Sequence, residues 1–224
     1  MIDLLVLAPH PDDAELGMGG TLARAYDLGY STAVVDLSLG EMATKGSPEI
    51  RKQEAAKAAK ILGLSYRNNL GWPDSKLLDS LEYRLELAQI IRELKPQVVI
   101  APYYQDRHPD HVAVANIAPA ALHLAGLANA PLDGKNHKVK NLFYYMGNAQ
   151  FRADLIVDTS DYIAIWEASV AAYESQFSGP AASETVTPDV FRRRKARAAY
   201  WGSFINTQYG EPLVSAKPLD FFPL

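Results

Sequence analysis

A short apolar run, Ile2 to Leu7, breaks directly into Ala8-Pro9-His10-Pro11-Asp12-Asp13-Ala14-Glu15, and this junction constrains the chain more than any other feature. The run has the length and character of a buried strand. One imidazole and three carboxylates follow with no spacer. Ionisable groups are therefore placed at the carboxyl end of a strand, where open α/β sheets bind ligands. A second cluster, Arg107-His108-Pro109-Asp110-His111, stands in the same relation to another apolar run, Val98 to Pro102.

The rest of the sequence supplies the elements such a sheet needs. Gly17, Gly19 and Gly20 lead into helical spacing over Thr21 to Gly29, and Thr32 to Leu37 is β-branched and apolar. Ser47-Pro48-Glu49 caps a helix over Arg51 to Leu62 that stops at Gly63. Leu77 to Leu94 reads as a helix closed by Pro96, and Val112 to Leu127 as another. Leu142 to Tyr145 and Leu155 to Val157 read as later strands, with a last helix near 189–201 and an extended tail. Strands alternating with helices predict an α/β fold, a Rossmann-like three-layer sandwich with a mainly parallel sheet and right-handed crossovers. No shift in composition marks a boundary, so one domain over 1–224 is expected, with a mobile loop near 178–188.

Composition narrows the function. A formal charge of -4 argues against general binding to nucleic acid or a membrane surface. The absence of cysteine excludes disulfides, thiolate zinc sites and a cysteine nucleophile. Residues 1–9 carry no basic segment ahead of the apolar run, which is itself too short for a signal peptide or a membrane span, so a soluble, cytoplasmic protein is expected.

The two clusters suit a hydrolytic metal site. A catalytic zinc centre uses three protein ligands and leaves a position open. His10, Asp13 and His111 are the expected ligands, and a set without thiolate fits Zn²⁺ or Fe²⁺. Asp12 diverges from its neighbour Asp13 and is placed to act as general base toward water at the metal. His108, one short turn before His111, is placed to meet the substrate carbonyl as general acid or oxyanion donor. Asp110 is expected to hold the tautomer of His108.

The same residues admit competing readings. His-Pro is commonly a turn, and Asp-Asp after a strand is often only a helix cap. A dinucleotide site built on Gly17-Met18-Gly19-Gly20, with Asp36 as the ribose acid, fails because position 22 is Leu and the glycines begin well after the strand. Arg192-Arg193-Arg194-Lys195 reads as a solvated helix face. His123 and His137 lack acidic neighbours of the same kind and read as structural or surface residues.

Ala8 to Glu15 and His108-Pro109-Asp110-His111 resemble the two motifs of the PIG-L/LmbE-like N-acetylglucosamine deacetylase family. The likeness continues through Asp36-Leu37-Ser38, Gly40-Glu41, Arg51 to Ala56, Leu62-Gly63 and Pro73-Asp74. Ala101-Pro102-Tyr103, Tyr144-Tyr145-Met146 and Ala172 to Phe177 are similar to the bacillithiol-biosynthesis branch, which deacetylates N-acetylglucosaminyl malate. The resemblance implies a zinc-dependent deacetylase with the metal on His10, Asp13 and His111, Asp12 as base, and His108 steadying the oxyanion. It further implies that Glu41, Arg51, Asp74 and Arg107 bind the sugar or its acidic aglycone, and that the chain forms a homo-oligomer, a trimer or hexamer. The implied partner is a small N-acetylglucosaminyl substrate, with no nucleic acid and no membrane. Alternatives are a same-fold amidase acting on a thiol conjugate, a deacetylase of another N-acetyl sugar, and a metal-binding protein without activity.

Overall fold

In β1 (Leu4–Ala8), Leu5 and Leu7 enter one hydrophobic core while Val6 and Ala8 enter another on the opposite face of the sheet. β2 (Thr32–Ser38) alternates likewise, with Ala33, Val35 and Leu37 on the first side and Val34 on the second. A strand buried on both faces is mostly apolar, as β1 is. β2 departs from this at Thr32, Asp36 and Ser38, of which Asp36 is held by Arg67 and Ser38 Oγ donates to the Pro9 carbonyl at 2.9 Å. Burial of this area, at about 25 cal/mol per Å² of apolar surface, is the main force holding the layers together.

The computed structural model describes residues 1–177 and 189–219. The remaining strands are β3 (Tyr66–Trp72), β4 (Val98–Pro102), β5 (Asn141–Tyr145), β6 (Leu155–Asp158) and β7 (Gly210–Ser215). Together they form a seven-stranded sheet in the order β3-β2-β1-β4-β5-β7-β6. The first five in that order run parallel, and β7 is antiparallel to both β5 and β6. Helices α3 (Leu81–Leu94) and α4 (Pro109–Gly126) pack together on the side of Leu5 and Leu7. Helices α1 (Asp13–Asp27), α2 (Pro48–Leu62) and α5 (Ile163–Ala171) pack together on the other side. A short α6 (Glu174–Phe177) and α7 (Val190–Ser203) complete the chain's helices among the described residues. The fold is the three-layer α/β sandwich with a mostly parallel sheet that the sequence predicts.

Local chemistry explains most boundaries. Ser47 Oγ accepts the Ile50 N–H at 3.3 Å, Pro48 opens α2, and Gly63 ends it at φ 67°. Ser80 Oγ caps α3 by accepting from Tyr83 N–H at 3.2 Å, so this helix begins at Leu81 rather than Leu77. Leu77 is instead a buried residue of the loop before α3, and its N–H donates to Asp110 at 3.3 Å. α4 begins three residues earlier than the apolar period suggests, at Pro109, which puts His111 in its first turn.

The larger correction concerns α1, which starts at Asp13 and contains the glycines expected to precede it. A Cβ at Gly17 would stand 2.5 Å from the ring of Tyr145, one at Gly19 3.0 Å from Trp166, and one at Gly20 2.8 Å from Thr159. The glycines let α1 lie close against the sheet and α5, so they serve packing rather than a loop. Asp36, the residue a ribose would need, is fully engaged by Arg67, whose Nε and Nη2 each donate to it at 2.8 Å. β3 is polar enough to escape the sequence reading, and β7 stands where the sequence predicts only an extended tail. The loop expected near 178–188 lies outside the described residues.

Candidate active site

The order β3-β2-β1-β4-β5 reverses direction between β1 and β4, and open sheets part their loops at such a switch point to leave a crevice. His10 leaves the end of β1 and His108 lies beyond the end of β4. A cleft opens there, lined by His10, Asp12, Asp13, His108 and His111 together with Arg51 and Asp74. The two sequence clusters thus meet in one site.

Asp13 Oδ2 lies 3.0 Å from His10 Nδ1 and 3.2 Å from His111 Nε2. One ligand atom from each of His10, Asp13 and His111 falls within 4.8 Å of the others, a spacing that a single divalent cation can fill. His10, His108 and Asp110 form a second such group. The Asp110 carboxylate, however, is buried and accepts from the backbone of Ser75 and Leu77, outside the cleft wall. The donor set that faces the cleft is the first one, and its two-imidazole, one-carboxylate chemistry suits a hydrolytic metal.

The surroundings of that set are themselves ordered. Burial alone would lower the His10 pKa, but Asp110, Asp13 and Asp74 hold it well above the ordinary histidine value. Burial would raise Asp13, yet His111 and His10 keep its carboxyl well below the carboxylate range. A cation replacing these protons would meet an ionised carboxylate already directed at two imidazoles.

Asp12 behaves differently from its neighbour. It occupies the N-cap position of α1 but makes no capping bond, and its backbone lies at φ 116°, which is strained for a residue with a side chain. Its Oδ2 lies 3.0 Å from Arg51 Nη2, which also donates to the Pro11 carbonyl. Burial raises the Asp12 carboxyl, Arg51 draws it back and the charge on Asp13 raises it again, leaving it at about 7. Glu15, the third carboxylate of the motif, turns away into the core, where it meets Arg67 and the Tyr173 hydroxyl.

His108 is the N-cap of α4, and its Nδ1 accepts the backbone N–H of Asp110 at 3.3 Å. This corrects the expected role of Asp110. Its backbone fixes the His108 tautomer, while its carboxylate lies 3.1 Å from His10 Nε2. The reason is the cap itself, since the first turn of a helix leaves N–H groups that the capping side chain must satisfy. With Nδ1 accepting, the neutral ring carries its proton on Nε2. Burial and the charges of His10 and His111 lower the His108 pKa, which favours that neutral form.

The four expected substrate contacts are divided. Arg51 and Asp74 line the cleft. Asp74 Oδ1 lies 3.1 Å from His10 Nε2, and its Oδ2 accepts from Met42 N–H at 3.0 Å. Glu41 Oε1 accepts from Asp74 N–H at 2.8 Å and ties two loops together outside the cleft wall. Arg107 is exposed and also outside it. Conversely, Lys45, Asn148 and Arg194 line the cleft although no sequence signal marks them for it, and so do Gln176 and Phe177, which lie in a stretch that carries the family resemblance without an expected role. Arg194 belongs to the run that reads as a solvated face. Arg192 and Arg193 do lie exposed, and the helical turn carries Arg194 inward.

The PIG-L family, described as GlcNAc-PI de-N-acetylase, matches residues 5–122, a span that holds both clusters. The chain belongs to this family. It is 31% identical over 192 residues to a diacetylchitobiose deacetylase of Thermococcus kodakarensis, covering 78% of this chain and 70% of that protein. It is 27% identical over 191 residues to a probable N-acetyl-alpha-D-glucosaminyl L-malate deacetylase 2 of Bacillus subtilis, covering 79% and 84%. Among solved structures, the conserved protein TT1542 of Thermus thermophilus superposes with a TM-score of 0.93 at 52% identity, covering 100% of this chain and 98% of the other. As a PIG-L deacetylase the chain is a hydrolase, and family membership agrees with the metal-ready donor set facing its cleft.

Proposed function

We propose that this PIG-L deacetylase removes the acetyl group from an N-acetylglucosaminyl small molecule, with N-acetylglucosaminyl malate, the bacillithiol-biosynthesis substrate, as the preferred one. The observation that carries the reading is the divergence of two adjacent aspartates in one cleft: Asp13 faces His10 and His111, whereas Asp12 faces Arg51. One is committed to a cation and the other is free of it, which is what general-base hydrolysis at a metal requires.

His10, Asp13 and His111 would hold the cation, Zn²⁺ or Fe²⁺. When bound, such an ion supplies Lewis acidity toward the acetyl carbonyl and makes water easier to deprotonate. Asp12, held by Arg51 on the cleft wall and clear of the ligand set, takes a proton from the attacking water. His108, neutral and protonated on Nε2, donates to the oxygen that gains negative charge in the tetrahedral intermediate. Asp12 then returns its proton to the nitrogen as the C–N bond breaks, giving acetate and a free amine. His108 keeps its proton throughout, because a ring with a lowered pKa is a hydrogen-bond donor rather than a charged acid.

Lys45 and Arg194 on the cleft wall support an acidic aglycone, and Asn148 and Gln176 add donors for hydroxyls. The similarity to a diacetylchitobiose deacetylase favours a second reading, a neutral disaccharide. Acetate release from N-acetylglucosaminyl malate, diacetylchitobiose and N-acetylglucosamine, with Zn²⁺ and Fe²⁺ in parallel, decides between them. A kcat/KM at least about tenfold higher for the malate conjugate, a difference of about 1.4 kcal/mol, is expected. A preference for diacetylchitobiose would replace it with the second reading. The proposal also takes the enzyme to be cytoplasmic and to act as a homo-trimer or homo-hexamer, measurable by fractionation and by sedimentation of the purified protein. Among the described residues, no helix is long and apolar enough to cross a membrane.

A further inference from the structure

His111 turns Nε2 toward Asp13, and its other ring nitrogen, Nδ1, is buried with no hydrogen bond of its own. The nearest acceptor in an ion-pair relation to it is Asp106 Oδ2, at 3.4 Å. The Asp106 side chain is fully buried, and three donors hold it: His108 N–H at 2.9 Å, Asn148 N–H at 2.7 Å and Asn148 Nδ2 at 3.0 Å. Gly147 lies directly over the pair. A Cβ there would come within 2.5 Å of Asp106 Oδ2 and 2.9 Å of His111 Nδ1. The Gly147 carbonyl in turn accepts from two guanidiniums of α7, Arg194 at 3.0 Å and Arg197 at 2.9 Å.

We infer that Asp106 is a positioning residue for the metal ligand His111, and that α7 keeps it in place through the Gly147–Asn148 segment. The inference rests on the metal reading above. A carboxylate behind a ligating imidazole keeps the proton on the far nitrogen, fixes the ring's orientation and makes the near nitrogen a better donor. His10 has the same arrangement, with Asp74 and Asp110 behind its Nε2. Asp106 completes the pattern for the second histidine. The path from Arg194 and Arg197 to His111 then runs through one carbonyl and one carboxylate, so a helix at the far end of the chain helps set the affinity of the metal site.

The test is zinc affinity of the apoprotein, measured by competition with a chromophoric chelator. Asp106→Asn is expected to bind zinc about 10- to 100-fold more weakly than wild type, with the thermal midpoint of the apoprotein unchanged. The visible spectrum of the cobalt-substituted variant should shift, because the ligand field of His111 changes. Asn148→Ala, which removes the Nδ2 donor to Asp106, should weaken zinc binding in the same direction and by less. Wild-type affinity and an unchanged cobalt spectrum in Asp106→Asn would overturn the inference. If that variant fails to fold, an unaltered zinc affinity in Asn148→Ala does so instead. Wild-type protein that takes up no zinc or cobalt would overturn the functional reading and this inference with it.

Discussion

The Arg51 guanidinium lies 3.0 Å from the Asp12 carboxylate and also grips the carbonyl of Pro11, so one side chain holds both the proposed base and the backbone that presents it. Arg51 is buried in the first turns of α2, and Asp12 sits at the strained mouth of α1. Backbone strain of this kind costs on the order of 1–3 kcal/mol and persists only where neighbours enforce it.

Asp12 and Asp13 are therefore expected to fail in different ways. Asp12→Asn should lower kcat by about 10²- to 10⁴-fold, the usual worth of a positioned acid–base group, with metal content unchanged. Asp13→Ala should lose metal. Metal analysis beside kinetics separates the two, and stoichiometric metal loss in Asp12→Asn would sink its assignment as base.

Arg51→Met distinguishes a residue that positions Asp12 from one that grips an acidic substrate. The ion pair with Asp12 predicts a fall in kcat on acidic and neutral substrates alike. A rise in KM confined to the malate conjugate would return Arg51 to the substrate-binding role that the family resemblance implies.

His111→Ala should lower metal occupancy and activity together, and chelation of the wild-type enzyme should abolish turnover that added Zn²⁺ or Fe²⁺ restores. Activity that survives exhaustive chelation would remove the metal from the mechanism. Dialysed, metal-analysed protein provides the reading.

Gly17→Ala tests the packing of α1. In an exposed helix this change gains up to about 1 kcal/mol. Here the new Cβ would meet the Tyr145 ring at 2.5 Å, and overpacking of a filled core costs about 1–3 kcal/mol. Urea denaturation should show a net loss of stability. A gain would mean that the Tyr145 ring yields easily.

Glu211 gives the pH dependence of stability a definite sign. Its carboxylate is buried and accepts the Gly20 and Thr21 N–H groups at 2.9 and 2.7 Å. Burial outweighs those bonds and lifts it from 4.5 to about 7. The folded state therefore binds this proton more tightly than the unfolded one. The contribution is fully present below pH 4.5 and is lost as pH rises through about 7, on the order of 3 kcal/mol at most. Glu211→Gln cannot ionise, so its stability relative to wild type should rise from about pH 5 to about pH 8. A constant difference between the two across that range would refute the raised pKa.

Much of the fold was legible because its signals are local. A strand buried on both faces shows no two-residue alternation, but an apolar run of strand length followed by a helix and a cap still reads as a βα unit. β3 escaped because Arg67, Asn68 and Asn69 are polar, and Arg67 and Asn69 find their partners only in the folded sheet. The start of α1 is hidden in the sequence because a glycine-rich stretch reads as a loop until the Tyr145 and Trp166 rings that need the space are in view.

The sequence by itself determined that three histidines and several carboxylates stand just past two strand ends, and hence that a metal-type cluster was available. The tertiary structure alone decided which groups face one another. It turned the Asp110 carboxylate toward His10 instead of His108, tied Arg51 to Asp12, brought Arg194 into the cleft from α7, and set Asp106 behind His111. Residue type and local period specify what a side chain can do. Its partner depends on strand order and on how closely helices pack, and these bring together residues that lie far apart along the chain.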